Sequence, residues 1–356
     1  MRKFDVIIVG FGLAGAALAL QCLQRKKKFL VIDKQDVNSA SRVAAGLFTP
    51  FTGQGNVKTW LADDIFQYLK RFYIQAEVLL DFSFFQPLPI YKPFNSIKEQ
   101  NDWNAKSADP VFQNYIDLIW TPGSYGHDVI DPLGGVVISN GGILDTQAFL
   151  DSAKSLLLRD DNFCDEDFEF ASLSLSGSSV RYKKLTADHI IFCEGIQVLH
   201  NSYFNWVPIR PLKGEVLEIE MDGPADRIYK QNIYVVPTGT PQVFRVGATY
   251  DRENILPGAT NEARNELEIK LKELLNKDYK VTNQDWGIRP TTPDRKPVLG
   301  SHPVHKNLLL FNGLGTKGVS LAPYFSGVLL DWIDNKITLD KQVNISRFKS
   351  LYSGFE

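Results

Sequence analysis

Residues 4–23 are FDVIIVGFGLAGAALALQCL, and three short patterns follow one another within this stretch. Phe4–Val9 is a run of apolar and β-branched residues around one aspartate, which is typical of a buried parallel strand. Gly10–Gly15 supplies a glycine-rich turn, and residues 16–23 are mostly small or straight-chain residues that favour a helix. The order of strand, glycine turn and helix predicts the first unit of an α/β domain with a parallel sheet.

The glycines of this turn have separate roles in a dinucleotide site. Gly10 permits the tight turn, Gly12 lets the backbone approach a pyrophosphate, and Gly15 allows the helix to pack against the strand. Leu13 and Ala14 begin the helix, where free N–H groups and the helix dipole favour negative charge. All five residues are therefore candidate cofactor contacts.

A second apolar strand follows at residues 29–32 and ends in Asp33, at a distance from the glycines that fits the dinucleotide fingerprint. The Asp33 carboxylate is placed to accept hydrogen bonds from ribose hydroxyls, and Lys34 is a further candidate contact. Glycine turns also occur without a ligand, and Met1–Lys3 before an apolar stretch could begin a signal peptide or a membrane span. The agreement of strand, turn, helix, second strand and terminal acid favours the nucleotide site.

Composition indicates a globular protein. The 356 residues suggest roughly two domains, and 44% hydrophobic with 22% charged residues is not typical of disorder. A net charge of -2 gives no overall field that would attract a polyanion. Cys22, Cys164 and Cys193 have no paired spacing, so neither a disulfide framework nor a zinc site is indicated, and a cytoplasmic location without a membrane segment is expected.

The choice between NAD and FAD depends on segments outside the fingerprint. Residues 39–47, SASRVAAGL, are mostly small and would allow close approach of a bulky ring, although an ordinary loop can have this composition. With the fingerprint, the segment resembles the FAD-dependent D-amino acid oxidase superfamily, in the branch that contains glycine oxidase and the oxidase half of the bifunctional tRNA methylaminomethyl-uridine enzyme. There the equivalent segment runs beside the flavin. The resemblance implies non-covalent FAD and four candidate contacts, which are Ser41, Arg42, Ala45 and Gly46.

Residues 185–195, LTADHIIFCEG, form an apolar strand that ends in a turn. The superfamily usually has small residues before the glycine of this turn, which touches the nucleotide. Here Cys193 and Glu194 precede Gly195, so the sequence departs from the family pattern at three candidate cofactor contacts. We interpret Cys193 as a small buried residue rather than a nucleophile.

A second combination of strand, glycine loop and helix start lies near the C-terminus. Residues 307–311 are apolar, NGLGTKG follows at 312–318, and a helix is expected from Val319. Reduced flavin carries negative charge near N1 and the C2 carbonyl, so backbone N–H groups or a lysine here would stabilise it. The loop resembles the C-terminal flavin loop of the superfamily, and its candidate contacts are Gly313, Gly315, Thr316, Lys317 and Gly318. The alternative for Lys317 is a solvated lysine.

Residues 286–294, WGIRPTTPD, contain an arginine in a segment stiffened by prolines, which can hold one side chain steady. The planar guanidinium of Arg289 can make two parallel hydrogen bonds to a carboxylate. The segment resembles a motif of glycine oxidase in which this arginine anchors the substrate. Arg289 and Lys317 are therefore the two candidate catalytic residues, and a structural ion pair is the alternative for Arg289.

The cofactor segments lie at the start, middle and end of the chain, so a domain that holds one FAD must be discontinuous. We predict an α/β fold in which a Rossmann-like FAD-binding domain consists of residues 1–81, 141–206 and 285–356. Residues 82–140 and 207–284 would form a substrate domain with a mixed, largely antiparallel β-sheet, because strand-like runs recur there.

One long amphipathic helix is expected between the predicted domains. Residues 57–80 have the hydrophobic period of such a helix. It would link the cofactor domain to the substrate domain.

These features predict an FAD-dependent oxidoreductase that oxidises the C–N bond of a small amino acid or secondary amine by hydride transfer to flavin N5. The protein would mainly orient and desolvate the substrate. Three alternatives stay open: modification of a tRNA wobble uridine, oxidation or dehydrogenation of a 2-hydroxy acid, and a flavin-binding module that acts through a partner. A small-molecule substrate is expected, tRNA is possible but not favoured, and the oligomeric state stays open. No metal is expected, although His302 and His305 are closely spaced.

Overall fold

The computed structural model describes residues 2–53, 55–124, 126–177 and 179–353. Within these ranges the α-helices are α1 (Leu13–Gln24), α2 (Ala40–Val43), α3 (Ala62–Leu80), α4 (Ile97–Ala108), α5 (Thr146–Arg159), α6 (Asn261–Leu274) and α7 (Gly318–Ile333). The strands of the N-terminal half are β1 (Arg2–Val9), β2 (Phe29–Ile32), β3 (Leu47–Phe48), β4 (Phe51–Thr52), β5 (Val57–Lys58), β6 (Phe85–Pro87), β7 (Ile90–Pro93), β8 (Ile116–Trp120), β9 (Gly135–Ile138), β10 (Gly142–Leu144), β11 (Phe163–Cys164) and β12 (Leu173–Ser176). The later strands are β13 (Ser179–Tyr182), β14 (Leu185–Phe192), β15 (Arg210–Glu220), β16 (Ile228–Lys230), β17 (Tyr234–Pro237), β18 (Val243–Gly247), β19 (Lys280–Thr291), β20 (Val298–Ser301) and β21 (Leu308–Asn312).

The first sheet has eight strands in the order β11-β2-β1-β14-β13-β12, and β21 with its neighbour β20 joins beside β14. Strands β2, β1, β14 and β21 run parallel, so their carboxyl ends lie along the same edge. Strand β1 is an interior strand with apolar residues that are almost fully buried, such as Ile7 and Ile8. This arrangement confirms the predicted Rossmann-like α/β fold.

Helix α1 packs against β1 and β2 of this sheet, α7 packs against α1, and α3 packs against α7. The small residues Ala16 and Ala19 are completely buried, which lets α1 lie close to its neighbours. The hydroxyl of Tyr73 on α3 donates to the carbonyl of Val319 at 2.8 Å, so α3 is tied to the first turn of α7. In the described part of the chain, no helix combines the length and apolar character needed to cross a bilayer.

The second sheet also has eight strands, in the order β19-β15-β18-β17-β16-β7-β9-β8. Neighbouring strands are antiparallel except β16 and β7, which run parallel. The predicted mixed, largely antiparallel sheet is therefore confirmed. Helix α6 covers one face of the sheet through a buried cluster that includes Leu267 and Leu271, and the opposite face is available for the site described below.

Two sequence-based boundaries differ from the observed elements. The expected helix over residues 57–80 begins only at Ala62, because Val57–Lys58 pairs with Phe51–Thr52 in a small hairpin and Leu61 has a left-handed φ of 54°. The predicted domain boundary between residues 284 and 285 falls inside β19, which stays in the second sheet to Thr291. The wider division into domains stays a prediction.

Candidate active site

A cavity of about 1120 Å³ lies between the carboxyl edge of the first sheet and the uncovered face of the second. It is larger than the roughly 300–1,000 Å³ of most small-molecule pockets. The predicted site residues line it except Gly15 and Gly313: Gly10, Gly12, Leu13, Ala14, Asp33, Lys34, Ser41, Arg42, Ala45, Gly46, Cys193, Glu194, Gly195, Arg289, Gly315, Thr316, Lys317 and Gly318. Segments that are far apart in the sequence therefore meet around one space.

The glycine turn after β1 has no room for side chains at two positions. Gly10 has a φ of +96°, and a Cβ there would lie 2.6 Å from the carbonyl oxygen of Cys193. A Cβ at Gly15 would lie 2.0 Å from the carbonyl oxygen of Gly10, so this glycine lies against the turn and behind the cavity wall. Gly10 thus shapes the turn, and Gly15 allows α1 to approach it.

The N-terminus of α1 faces the cavity beside Ser41. The Leu13 N–H donates to Ser41 Oγ at 3.0 Å, and a Cβ at Gly12 would lie 2.8 Å from the same oxygen. The first N–H groups of a helix have no partner within the helix, so that of Ala14 is available to an anion at the cavity wall. This end of the cavity has the properties of a phosphate site.

Asp33 closes the same end of the cavity. Its Oδ1 accepts a hydrogen bond from the Phe11 N–H at 3.1 Å, and Oδ2 accepts none from the described residues. Burial raises the pKa of Asp33, and the Phe11 N–H opposes that rise. Lys34 is exposed, 3.9 Å from Asp165, whereas the guanidinium of Arg42 is bound by Asp151 at 2.7 Å. Asp33 is therefore the stronger candidate for ribose hydroxyls.

We expect Asp33→Ala to weaken FAD binding by about tenfold or more, because a hydrogen bond to a carboxylate contributes about 1.5–3 kcal/mol. The dissociation constant of FAD for the reconstituted apoprotein is the measurement. Asp33→Asn keeps an acceptor for the Phe11 N–H and is expected to lose less. An unchanged dissociation constant for Asp33→Ala would exclude this role.

The Cys193–Gly195 turn after β14 is hydrogen-bonded to the end of β21. Cys193 is buried, and burial raises the pKa of its thiol well above the usual range, so it is a poor nucleophile. Burial also raises the pKa of Glu194 to about 7, and Asn201 donates to its carboxylate at 2.7 Å. The carbonyl of Gly195 accepts from Asn312 Nδ2 at 2.8 Å. The departure from the family pattern is thus accommodated by hydrogen bonds within the chain.

The glycine loop after β21 brings a lysine to the cavity. Gly313 and Gly315 have φ values of +75° and +55°, and a Cβ at Gly313 would meet Thr292 at 2.7 Å, so Gly313 lies behind the wall. Lys317 precedes α7, and burial followed by the charge of Arg295 lowers its pKa. Across the described ranges its ammonium has no hydrogen-bond or ion-pair partner. A ligand with negative charge would supply one.

Arg289 lies over the face of the second sheet that borders the cavity. Its guanidinium passes directly above Gly214, where a Cβ would lie 2.1 Å from both terminal nitrogens. One of these nitrogens donates to the carbonyl of Thr249 at 3.3 Å, and the ring of Tyr250 lies 5.3 Å from the guanidinium carbon. No carboxylate forms an ion pair with it in the described part of the chain. The structural ion pair considered above is therefore absent there.

Several lining residues are not evident from the sequence, namely Gly214, Lys230, Tyr234 and Tyr250. Burial raises the pKa of Tyr234 to about 12, while Arg289 and Arg245 lower it, so its hydroxyl stays a hydrogen-bond donor. For Gly214 the sequence contains a weak indication, because an isolated glycine in a strand often marks a position that another group approaches closely. The positions of Lys230, Tyr234 and Tyr250 at the cavity become evident only when the pairing of the strands is known.

The residues present fit FAD on three observations. The glycine turn places Gly12 and the N-terminus of α1 at the cavity wall. Lys317 presents an ammonium without a partner, and the buried hydroxyl of Thr59, which also lines the cavity, has no partner among the described residues. In the same ranges no group of three or more His, Cys, Asp or Glu side chains could hold a metal ion.

Comparison with known sequences gives one family and several relatives. The family model described as FAD dependent oxidoreductase (DAO) matches residues 5–332. The bifunctional protein ThiO/ThiG of Synechocystis sp. is 26% identical, and the match covers 94% of this chain and 52% of that protein. The tRNA 5-methylaminomethyl-2-thiouridine biosynthesis bifunctional protein MnmC of Idiomarina loihiensis is 24% identical, and the match covers 97% of this chain and 59% of that protein. The chain thus spans little more than half the length of these relatives.

Two solved structures share the fold over nearly the whole chain. Iminodiacetate oxidase from Chelativorans sp. BNC1 has a TM-score of 0.80 at 17% identity, with 95% of this chain and 98% of that chain covered. Glycine oxidase from Geobacillus kaustophilus has a TM-score of 0.78 at 18% identity, with 95% and 96% covered. At these identities the likeness establishes the fold.

Proposed function

Because the chain belongs to the DAO family of FAD-dependent oxidoreductases, we propose that it oxidises the C–N bond of small amino acids or secondary amines in this cavity. The family confirms the resemblance predicted from the sequence, and FAD is its cofactor. The observation that supports the substrate class is the guanidinium of Arg289, which borders the cavity without an ion-pair partner in the described ranges. A carboxylate is the group for which that geometry is suited.

The chain's own residues would bind and orient the substrate. Arg289 would hold the carboxylate in a fork, and the Tyr234 hydroxyl is a second donor on the same wall of the cavity. Burial around them would exclude water and strengthen both interactions. FAD supplies, when bound, the acceptor for the hydride that leaves the carbon beside nitrogen.

The names of the similar proteins agree with this substrate class. Glycine oxidase and iminodiacetate oxidase are named for small amino-containing carboxylates, and each shares the fold over at least 95% of this chain. The second candidate, modification of a tRNA nucleoside, is supported by similarity to MnmC proteins. We therefore place the small amino acid or amine first.

Anaerobic mixing of the FAD-loaded protein with a substrate panel tests the proposal. The panel contains amino acids of both chiralities, N-substituted glycines, their decarboxylated amines and 2-hydroxy acids. We expect bleaching of the flavin absorbance by at least one amino acid or N-substituted glycine. Reduction by 2-hydroxy acids alone, or by no small molecule at all, would contradict it. Admission of air after reduction then distinguishes an oxidase from a dehydrogenase.

We further propose that Lys317 stabilises negative charge on reduced flavin. Lys317→Met is expected to lower the midpoint potential by about 30 mV or more, which for a two-electron couple corresponds to about 1.4 kcal/mol. The potential is measured by reduction beside a reference dye. Lys34→Met is the control, because Lys34 lines the cavity at its exposed end near Asp33. A potential that is unchanged or higher in Lys317→Met would leave Lys317 without this role.

A further inference from the structure

The last residue of β16 is a lysine that lines the cavity. Lys230 is partly buried, and its Nζ donates to the carbonyl of Phe51 at 3.3 Å. In the part of the chain that the structure describes, it forms no ion pair with a carboxylate. A cation in this position is poorly compensated, because one long hydrogen bond to a carbonyl replaces the water it would have at the surface.

The carboxylate whose charge acts on Lys230 is that of Glu99, and other groups already bind it. Glu99 accepts from Lys92 at 2.7 Å, from Asn56 Nδ2 at 2.8 Å and from the Asn95 N–H at 2.8 Å. Burial, and then the charge of Lys92, lowers the pKa of Lys230 to about 8, and Glu99 opposes this only in part. The charge of Lys230 is therefore available to something that enters the cavity.

Strand register places Lys230 on the face of the second sheet that borders the cavity. It lies opposite Tyr234, which lies opposite Gly247, and Gly247 lies opposite Val216. Opposite residues share a face, and so do alternate residues of one strand, so Gly214 lies on the same face, two residues from Val216 along β15. Lys230 and the Arg289 guanidinium, which lies over Gly214, are therefore on the same wall of the cavity and several strands apart.

The two cations are separated by the width of several strands. Strands β15 and β16 are three positions apart in the sheet, which at about 4.8 Å per strand is about 14 Å between backbones. Both side chains are long, and the Tyr234 hydroxyl lies between them on this face, where a Cβ at Gly247 would be 2.8 Å from it. A ligand that contacts both cations must be elongated and must have an anionic group near each end.

We propose that Lys230 is a second anion-binding site, and that the natural substrate is an amino acid or secondary amine with a second acidic group distant from its carboxylate. The identification of the substrate as an amine rests on the proposed function. The binding of an anionic group by Lys230 does not depend on it. The phosphates of FAD do not explain Lys230, because their site is the glycine turn and the α1 N-terminus on the first sheet. Lys230 lies on the second sheet.

Binding of unreactive ligands to the FAD-loaded protein tests the site without any oxidation. The probes are straight-chain dicarboxylates from succinate to suberate, and for each one its monoamide, which keeps the length and loses one charge. Binding is followed by perturbation of the flavin absorbance and by competition with the best substrate. We expect the wild-type protein to bind the best dicarboxylate about tenfold or more tightly than its monoamide.

Three variants distinguish the contributions of Lys230 and Arg289 to ligand binding. Lys230→Met should lose most of that preference while its affinity for the monoamide stays within about threefold, since only the distal contact is removed. Arg289→Ala should weaken both ligands. Lys3→Met removes an exposed lysine of the first sheet and should change neither. Equal affinity for dicarboxylate and monoamide in the wild type, or equal losses for both in Lys230→Met, would overturn the proposal.

The substrate panel supplies the second readout. An acidic amino acid or carboxyalkyl glycine should reduce the flavin with a lower KM than its amide, and Lys230→Met should raise that KM with little effect on the amide. If no amine reduces the flavin but the dicarboxylate preference depends on Lys230, the proposed oxidation fails and the anion site stands. If amines reduce the flavin without preference for a second acid, the anion site fails and the oxidation stands.

Discussion

Arg289→Ala is expected to lower the rate of anaerobic flavin reduction by an amino-acid substrate roughly a hundredfold at limiting substrate, equivalent to about 3 kcal/mol. The reason is that a paired guanidinium contributes two charge-assisted hydrogen bonds to the carboxylate. The decarboxylated amine lacks that group, so its rate should change by no more than about threefold. Stopped-flow absorbance with both compounds is the measurement.

Two further variants separate recognition from packing. Arg289→Lys should not restore the rate, because a point charge cannot reproduce the fork. Gly214→Ala should give the same selective loss, since a methyl group there would lie 2.1 Å from the guanidinium nitrogens and displace them. Equal losses for the amino acid and the amine in Arg289→Ala would instead indicate a structural arginine.

Gly12→Val is expected to weaken FAD binding about a hundredfold or more, so that the purified variant is nearly colourless. The side chain would occupy the space beside the α1 N-terminus, and each lost hydrogen bond to a phosphate contributes about 1.5–3 kcal/mol. The backbone tolerates the change, because Gly12 has a φ of -80° that any residue adopts. The measurements are flavin content by absorbance and folding by circular dichroism.

The contact with Ser41 provides the control for Gly12→Val. A Cβ at position 12 would lie 2.8 Å from Ser41 Oγ, so the loss of FAD could arise from displacement of that side chain. Gly12→Val combined with Ser41→Ala removes the close contact but leaves the added bulk at the phosphate site. We expect the double variant to remain without flavin. A double variant that regains full FAD content would show that the phosphate does not approach Gly12.

The sequence was sufficient for the parts of the site that depend on local backbone. Gly10 has a positive φ, and the two glycine loops meet helix starts at Leu13 and Gly318, so short motifs identified two of the loops that line the cavity. The resemblance to a family located Arg289 through the residues around it. These signals are local because each one is a turn or a helix terminus with special geometry.

The second wall of the cavity could not be predicted in the same way. Lys230, Tyr234 and Gly214 line it because three strands pair in a particular register, and register depends on contacts between distant segments. The start of α3 and the end of the second sheet also depend on strand pairing: residues 57–58 pair in a small hairpin, and pairing with β15 extends β19 to Thr291, beyond the predicted boundary at residue 285. At residues 57–58, strand pairing thus overrode the helical period of the sequence.

The discontinuous first sheet has a consequence for the order of events during synthesis. Strand β14 lies between β1 and β21, and the Gln21 side chain donates to the Pro323 carbonyl across 302 residues. Contacts of such sequence separation form late and slow the folding of a chain. The glycine turn at residue 10 is synthesised long before the loop that contains Lys317, which lies near the end of the matched region. Flavin loading is therefore expected only after Lys317 and α7 have been synthesised, and until then the edge of β14 that pairs with β21 lacks its partner strand.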